Sequence, residues 1–478
     1  MKFNKWIFVM IFFCPWLGMG QKIINLDNKR EIFVDDYLID KMDGVQLQMH
    51  QPHDEGAVFY FDKPWEGALS GYVTIIKDDD LYRVYYRGRQ IGVKDGDGRE
   101  VTCYAQSKDG IHWEKPNLHI HPYNDVYDNN IILANVGSVT HNFCPFLDTN
   151  PQTPPSQKYK AVGSSNGLVA YFSGDGIHWT KLGHKSLIKK GEFDSQNVVF
   201  WSASEKCYVC YYRTWSTGWF KGFRTVSRVT SPDFIHWSKP EAMTFGDTPM
   251  EHLYTQQTSP YFRAPHIYVA IGGRFLPNRQ ILTEEQAKVL NVDPGYFKDC
   301  SDVFFMTSRG GNKYDRTFME AFIRPGIGMN NWVSRSNYPA LNVVQTGPDE
   351  MSIYVNQDYA QPTAHLRRYS LRLDGFTSLH APYEGGTFVS KPLKFSGKRL
   401  SLNFSTSAAG GLKVQLEQAD GTPYPGFTLD DCKEIIGNET ARYVVWKNGN
   451  NVSSLVGKIV RIRIVMKDAD LYSLQFDE

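Results

Sequence analysis

A ten-residue motif returns three times in this chain: SKDGIHWEKP at 107–116, SGDGIHWTKL at 173–182 and SPDFIHWSKP at 231–240. Recurrence at offsets of 66 and 58 residues marks a radial array of similar units and constrains the fold before any local reading. Each copy reads as a β-turn. Asp109, Asp175 and Asp233 can bond backbone N–H groups two residues on, Gly110 and Gly176 supply a positive φ, and Ile-His-Trp then enters a strand with its indole inward. The motif is therefore punctuation that staples one hairpin per repeat, and its aspartates belong to the scaffold. The architecture it implies is all-β, with blades of about four strands set around a central channel as a β-propeller.

Strand-like runs fill five such blades. The first holds 71–77, 81–87 and 101–107, with turns at Asp78-Asp79-Asp80 and Asp95-Gly96-Asp97-Gly98 and a fourth strand after Trp113. The second holds 131–134, 159–162 and 168–173, and the third 198–201, 207–213 and 227–231. The fourth starts near Glu251 and runs through 266–272 and 302–308, and the fifth holds 337–344, 350–356 and 364–373. The run EIFVDDYLI at 31–39 is β-branched and aromatic, and is expected to close the ring by completing the last blade. TEEQAKVL at 283–290 predicts one short helix on the rim, with Thr283 as N-cap. From about Phe376 alternating apolar and polar runs predict a C-terminal β-sandwich over 376–478, after a propeller spanning 21–375.

Residues 1–20 carry Lys2 and Lys5, an apolar run and Gly18-Met19-Gly20, the pattern of a secretory signal peptide. The mature chain is then secreted or periplasmic and begins at Gln21; bulky Phe13 argues against a lipid anchor at Cys14. No later run is long enough to span a membrane. Net charge is +1 for the whole chain, and −1 once Lys2 and Lys5 are removed, which recruits no nucleic acid. The remaining cysteines are too scattered for a zinc site or a disulfide framework, and Cys207 and Cys210 point to opposite faces of one strand. Neither a metal nor a cofactor is expected.

A secreted five-bladed propeller with S-x-D-G-x-x-W turns and a C-terminal sandwich resembles glycoside hydrolase families 32 and 43, and the uncharacterised bacterial proteins similar to family 32. The resemblance covers nearly all of the mature chain in architecture and less in motif: Pro64-Trp65-Glu66-Gly67 stands where family 32 has W-M-N-D-P-N-G, and its R-D-P triplet is missing. It implies hydrolysis of a carbohydrate, a plant or algal poly- or oligosaccharide, by carboxyl groups in the channel. Mapped by position at the starts of inner strands, these are Glu66 as nucleophile or base, Asp194 as stabiliser and Glu251 as general acid, with Asp302, Glu320 and Glu350 as alternatives.

Arg87, His141, Arg213, Arg263, His266, Arg274 and His365 fall near predicted inner-strand starts. They either neutralise the channel acids or bind an anionic sugar, because a guanidinium holds a carboxylate or sulfate bidentately. Tyr72, Trp65, Trp215, Trp219 and Tyr254 offer stacking faces, as substrate contacts or as core. Three rivals stand beside the hydrolase: a phosphorylase resembling glycoside hydrolase family 130, which uses arginines for phosphate and needs one acid; a non-catalytic carbohydrate-binding propeller; and a polysaccharide lyase using His or Tyr.

Overall fold

In the three repeated turns one aspartate organises the backbone. Asp109 Oδ1 accepts from the backbone N–H groups of Ile111 and His112, both at 2.8 Å, while Oδ2 stands 2.7 Å from His112 Nδ1. Asp175 and Asp233 repeat the arrangement with His178 and His236. The third copy has Phe234 where the others have glycine, and Phe234 takes the same left-handed backbone at φ 68°. Each turn thereby fixes the reversal between a long strand and a short outer one.

The structure is a computed structural model describing residues 23–90, 99–218 and 220–478. The expected signal peptide at 1–20, the turn at 95–98 and Trp219 lie outside the described residues. Four short strands come first: β1 (Ile24–Asp27), β2 (Glu31–Ile32), β3 (Ile39–Asp43) and β4 (Gln46–Met49), then β5 (His53–Tyr60). Blade one holds β6 (Gly71–Asp78), β7 (Leu81–Gly88), β8 (Val101–Ser107), β9 (Trp113–Glu114) and β10 (Ile131–Leu133). Blade two holds β11 (Cys144–Leu147), β12 (Tyr159–Ser164), β13 (Leu168–Ser173) and β14 (Thr180–Lys181). Blade three holds β15 (Val198–Ser202), β16 (Cys207–Trp215), β17 (Arg224–Ser231) and β18 (Glu241–Ala242). Blade four holds β19 (Thr258–Tyr261), β20 (Ala264–Leu276) and β21 (Cys300–Ser308), with helix α1 (Glu284–Val289) inserted after β20. Blade five joins β22 (Tyr338–Pro339), β23 (Val344–Gln345), β24 (Glu350–Gln357) and β25 (His365–Arg372) to β5.

The first strands of successive blades adjoin one another around an axis, and a bridge between Thr74 and Leu341 closes blade one onto blade five. The protein is thus a five-bladed β-propeller in a nearly all-β chain. Each sheet is covered on both faces by its neighbours, so strands such as VVFWS and CYVCYY read as continuous apolar runs. Helix α1 carries the expected cap: Thr283 Oγ1 accepts from Gln286 N and the Gln286 side chain returns to Thr283 N, a capping box. The six described cysteines are free thiols, five of them buried.

Two strand assignments need correction. The ring is closed by β5, antiparallel to β25, not by the run at 31–39. That run is apolar because it is wedged between two cores: Ile32 and Val34 pack with the propeller, while Phe33, Leu38 and Ile39 pack with the C-terminal strands. The true closing strand lies at the outer edge, largely solvated on one side, and so reads as the polar HDEGAVFY. Likewise β10, expected to open blade two, pairs with β8 and ends blade one; blade two opens at β11.

The C-terminal strands are β26 (Thr377–Ala381), β27 (Gly386–Ser390), β28 (Leu393–Phe395), β29 (Arg399–Glu417), β30 (Asn438–Tyr443) and β31 (Arg461–Asp477). They share a core containing Leu402, Val414, Trp446 and Ile464. Strands β1 to β4, expected to belong with the propeller, pair here instead: β1 with β28, β2 with β31, β3 with β27 and β4 with β26. Among the described residues no helix is long and apolar enough to cross a membrane.

Candidate functional site

Because every inner strand runs from one face of the ring towards the other, the residues just before each strand gather at one mouth on the axis. The mouth is lined by Gly71, Tyr72 and Arg87 from blade one, Gln196 from blade three, Thr255 from blade four, and Arg335, Tyr338 and Asn356 from blade five. Its cavity volume is about 20 Å³, opening to solvent above. Its floor is a seam of amides. Gln196 Nε2 donates to Thr74 Oγ1 at 2.9 Å and to the Val73 carbonyl at 3.1 Å, and Gln257 Nε2 donates to Gln196 Oε1 at 2.6 Å and to the Pro339 carbonyl at 2.9 Å. These bonds link four blades and turn the channel into a funnel.

Tyr72 stands on the wall at φ 51°, beside the irregularity in β6 between Gly71 and Thr74, a local distortion that re-aims its side chain. Its ring lies 4.7 Å from the Arg87 guanidinium and 5.4 Å from the His141 ring, and its hydroxyl donates to the Asp194 carbonyl at 3.2 Å. Arg87 Nη2 donates to the Leu69 carbonyl at 2.7 Å, and Nη1 stands 3.1 Å from His141. His141 Nδ1 lies 2.9 Å from the fully buried Glu100, which also meets Arg89. Burial and the adjacent Tyr254 phenol push Tyr72 above the usual phenol range.

Asp194 is ion-paired with Arg213, its side chain 58% exposed while that of Arg213 is 4% exposed. The Arg213, Arg224 and Arg335 guanidinium groups all approach the Tyr254 ring, at 5.2, 5.3 and 5.5 Å from its centroid. Tyr254 in turn lies 5.0 Å from the Tyr338 ring. Several buried polar atoms here have no partner: Arg213 Nε and Nη1, Arg224 Nε, Tyr338 Oη and Asn356 Oδ1. Left so, each costs on the order of 1–3 kcal/mol, and a polar ligand would relieve that cost.

Further out on the same face, Glu251 Oε1 accepts from Arg274 Nη1 at 2.7 Å and Oε2 from Arg316 Nη2 at 2.9 Å. Arg274 also grips Asp302, through Nε at 2.7 Å and Nη2 at 2.6 Å, and the Asp302 bonds raise its already high pKa. The funnel therefore gathers Tyr72, Arg87, His141, Asp194 and Arg213 from the sequence reading, while Glu251 lines a separate hollow with Leu253 and Arg316.

Three expected site residues lie elsewhere. Glu66 is 1% exposed; Lys115 Nζ donates to its Oε2 at 2.7 Å, Lys63 N to the same oxygen at 3.1 Å, and Tyr86 Oη to Oε1. Both its oxygens are bonded within the packing around blade one and its side chain is closed to solvent, whereas Glu251, also bonded at both oxygens, keeps 17% of its side chain exposed; Glu66 is therefore corrected from nucleophile to scaffold. Arg263 reaches the buried Asp374 at 3.2 Å, and His266 Nε2 reaches Glu31 Oε1 at 2.8 Å. Both sit at the start of β20, the end of blade four away from the funnel, and fasten the propeller to the terminal strands. Of the alternatives, Glu350 is held by Arg368, and Glu320 is exposed. His365 Nδ1 bonds the Thr363 carbonyl, and Trp65 Nε1 donates to Asn130.

Arg224, Arg335, Tyr338, Asn356 and Glu100 were not singled out from sequence. Arg335 could have been: it stands just before the inner strand of blade five, the place that selected Asp194 in blade three. Among the described residues no three His, Cys, Asp or Glu side chains are grouped to hold a metal ion.

No family model and no curated protein matches the chain. Among solved structures it is similar to one described as a glycoside hydrolase, at 10% identity over 67% of this chain and 92% of that one, with a TM-score of 0.45. It is also similar to an N-acetylgalactosamine deacetylase from F. plautii in complex with blood group B trisaccharide, at 12% identity over 70% and 97%, TM-score 0.42. A third is the GH93 alpha-L-arabinofuranosidase of Fusarium graminearum with arabinobiose, at 13% identity over 67% and 98%, TM-score 0.41.

Proposed function

We propose that this chain is a secreted glycoside hydrolase that cleaves a plant or algal oligosaccharide at the funnel mouth, with Asp194 and Glu251 as its two carboxyl groups. The observation that carries the reading is the exposed Asp194 carboxylate beside buried donors and acceptors that have no protein partner, with Tyr72 bonded to the Asp194 backbone and Tyr254 under its Arg213 partner. Such a site suits a sugar, whose hydroxyls take the polar atoms and whose C–H faces take the rings. In the reaction the bond from the anomeric carbon to the leaving oxygen breaks, a carboxylic acid protonates that oxygen, and a water oxygen ends on the anomeric carbon.

Replacing Asp194 by Asn or Glu251 by Gln should each lower turnover by about 10²–10⁴-fold, with the melting temperature close to wild type for Asp194→Asn, whose side chain is exposed, and lowered for Glu251→Gln, which leaves buried Arg316 facing an amide. The assay is release of reducing sugar from a panel of plant and algal oligosaccharides. Turnover at the wild-type rate in both variants would dismiss the carboxyl assignment. A second reading, glycoside phosphorolysis, is favoured by one feature: a single exposed carboxylate stands among several arginines. A strict requirement for inorganic phosphate in the same assay would select it.

A further inference from the structure

We infer that Arg213, Arg224 and Arg335 form a subsite for a negatively charged substituent of the sugar, a uronate carboxylate or a sulfate ester. The inference rests on the reading of the funnel as a glycan site and names the substrate class that site takes.

The three guanidinium groups converge on one ring, that of Tyr254, so three like charges are gathered at one wall of the funnel. Asp194 meets this cluster through Arg213 Nη2. Arg213 Nε and Nη1 are buried without an acceptor, on a side chain that is 4% exposed. These donors lie on different edges of the guanidinium, either side of the Nη2 held by Asp194, so each can meet a separate acceptor oxygen. Arg224 is sandwiched by Trp215 at 4.8 Å and Phe275 at 4.9 Å, its Nε also lacks an acceptor, and its Nη1 faces His252 Nδ1 at 3.5 Å. That imidazole supplies no negative charge. Burial, opposed by the Tyr254 phenol and joined by the neighbouring Arg213 charge, holds Arg224 below its ordinary value. Arg335 lines the mouth itself at a left-handed φ of 61°.

The surroundings favour an anion carried on a sugar over a free one. Tyr338 Oη and Asn356 Oδ1, both buried without partners, lie on the same mouth as Arg335, and an acceptor such as Asn356 Oδ1 matches a hydroxyl and not an oxyanion.

The test is calorimetric titration of the full chain with paired oligosaccharides that share a backbone and differ only in a terminal uronate or sulfate against the neutral hexose. We expect the charged member to bind about tenfold or more tightly, and Arg224→Gln to erase that difference. Arg335→Gln gives the same readout should Arg224→Gln fail to fold. Equal affinity for the pair, or discrimination that survives both substitutions, overturns the subsite and leaves the glycosidase reading standing. Failure of every glycan to bind overturns both. If inorganic phosphate binds, is lost in Arg224→Gln, and is required for turnover of the neutral oligosaccharide, the anion is free phosphate and the sugar-borne assignment falls.

Discussion

Glu66 and Asp194 stand at comparable places in the sequence, each just before an inner strand, yet their surroundings give them opposite work. Glu66 is bonded by Lys115 and Tyr86, and Lys115, only 12% exposed, lies over the Phe59 ring. A buried ion pair contributes little net stability when intact, but removing one partner strands the other. Glu66→Gln should therefore cost about 3 kcal/mol, the low end for such a loss because Lys115 keeps Asp62 at 2.8 Å, and turnover per folded molecule should be unchanged. Urea unfolding and kcat on the same preparation separate the two effects. Lost turnover at full stability would return Glu66 to the chemistry.

The repeated turn is the element the chain repeats, and its aspartate gives it a pH dependence. In the third copy, bonds from the His236 backbone, then its ring, and then the Ile235 backbone hold the Asp233 carboxyl well below the usual carboxylate range. A carboxyl with a lowered folded-state pKa stabilises the fold fully above its unfolded value, near 3.9, and loses that contribution as pH falls. Asn at this position keeps an acceptor for the two N–H groups and cannot titrate. The stability gap between wild type and Asp233→Asn should then be constant above about pH 5 and narrow steadily below pH 4. Urea midpoints measured from pH 6 to pH 2 check this; a gap that widens in acid contradicts it. This turn was legible in the sequence because Asp, Gly and Trp act within ten residues of one another. Strand β5 was not, since an edge strand closing a ring is chosen by pairing with β25, more than 300 residues away, and its own HDEGAVFY carries a weak local signal. The site divides in the same way: position near an inner-strand start pointed to His141 and Asp194 and an aromatic face to Tyr72, whereas Arg224 and Tyr338 join it through a shared ring that no spacing announces.

At the scale of the whole molecule several ion pairs join the terminal strands to the propeller, and one buried carboxylate gathers the most partners. Asp374, fully buried at φ 64°, accepts from Tyr261 Oη at 2.7 Å in blade four, from Ser473 Oγ at 2.6 Å on β31 and from Asn403 Nδ2 at 3.0 Å on β29. Arg30 and Arg263 stand at 3.5 and 3.2 Å from the same side chain. Five groups from four separated stretches thus depend on a single negative charge, and two of those groups are cations with little exposure. Asparagine tolerates the backbone conformation and nearly fills the space, so Asp374→Asn removes the charge and little else. Two arginines are then left facing an amide, a loss of about 3–5 kcal/mol by the cost of breaking a buried ion pair. That cost falls on the junction and not on either core, which remains apolar and packed on its own side. Wild-type protein should therefore unfold in one calorimetric transition, and Asp374→Asn in two, the earlier one removing the contacts of β1 to β4 and β26 to β31. A single transition in the variant, unmoved in temperature, would mean that the apolar wedge of Ile32, Phe33 and Val34 couples the two parts without help from the charge.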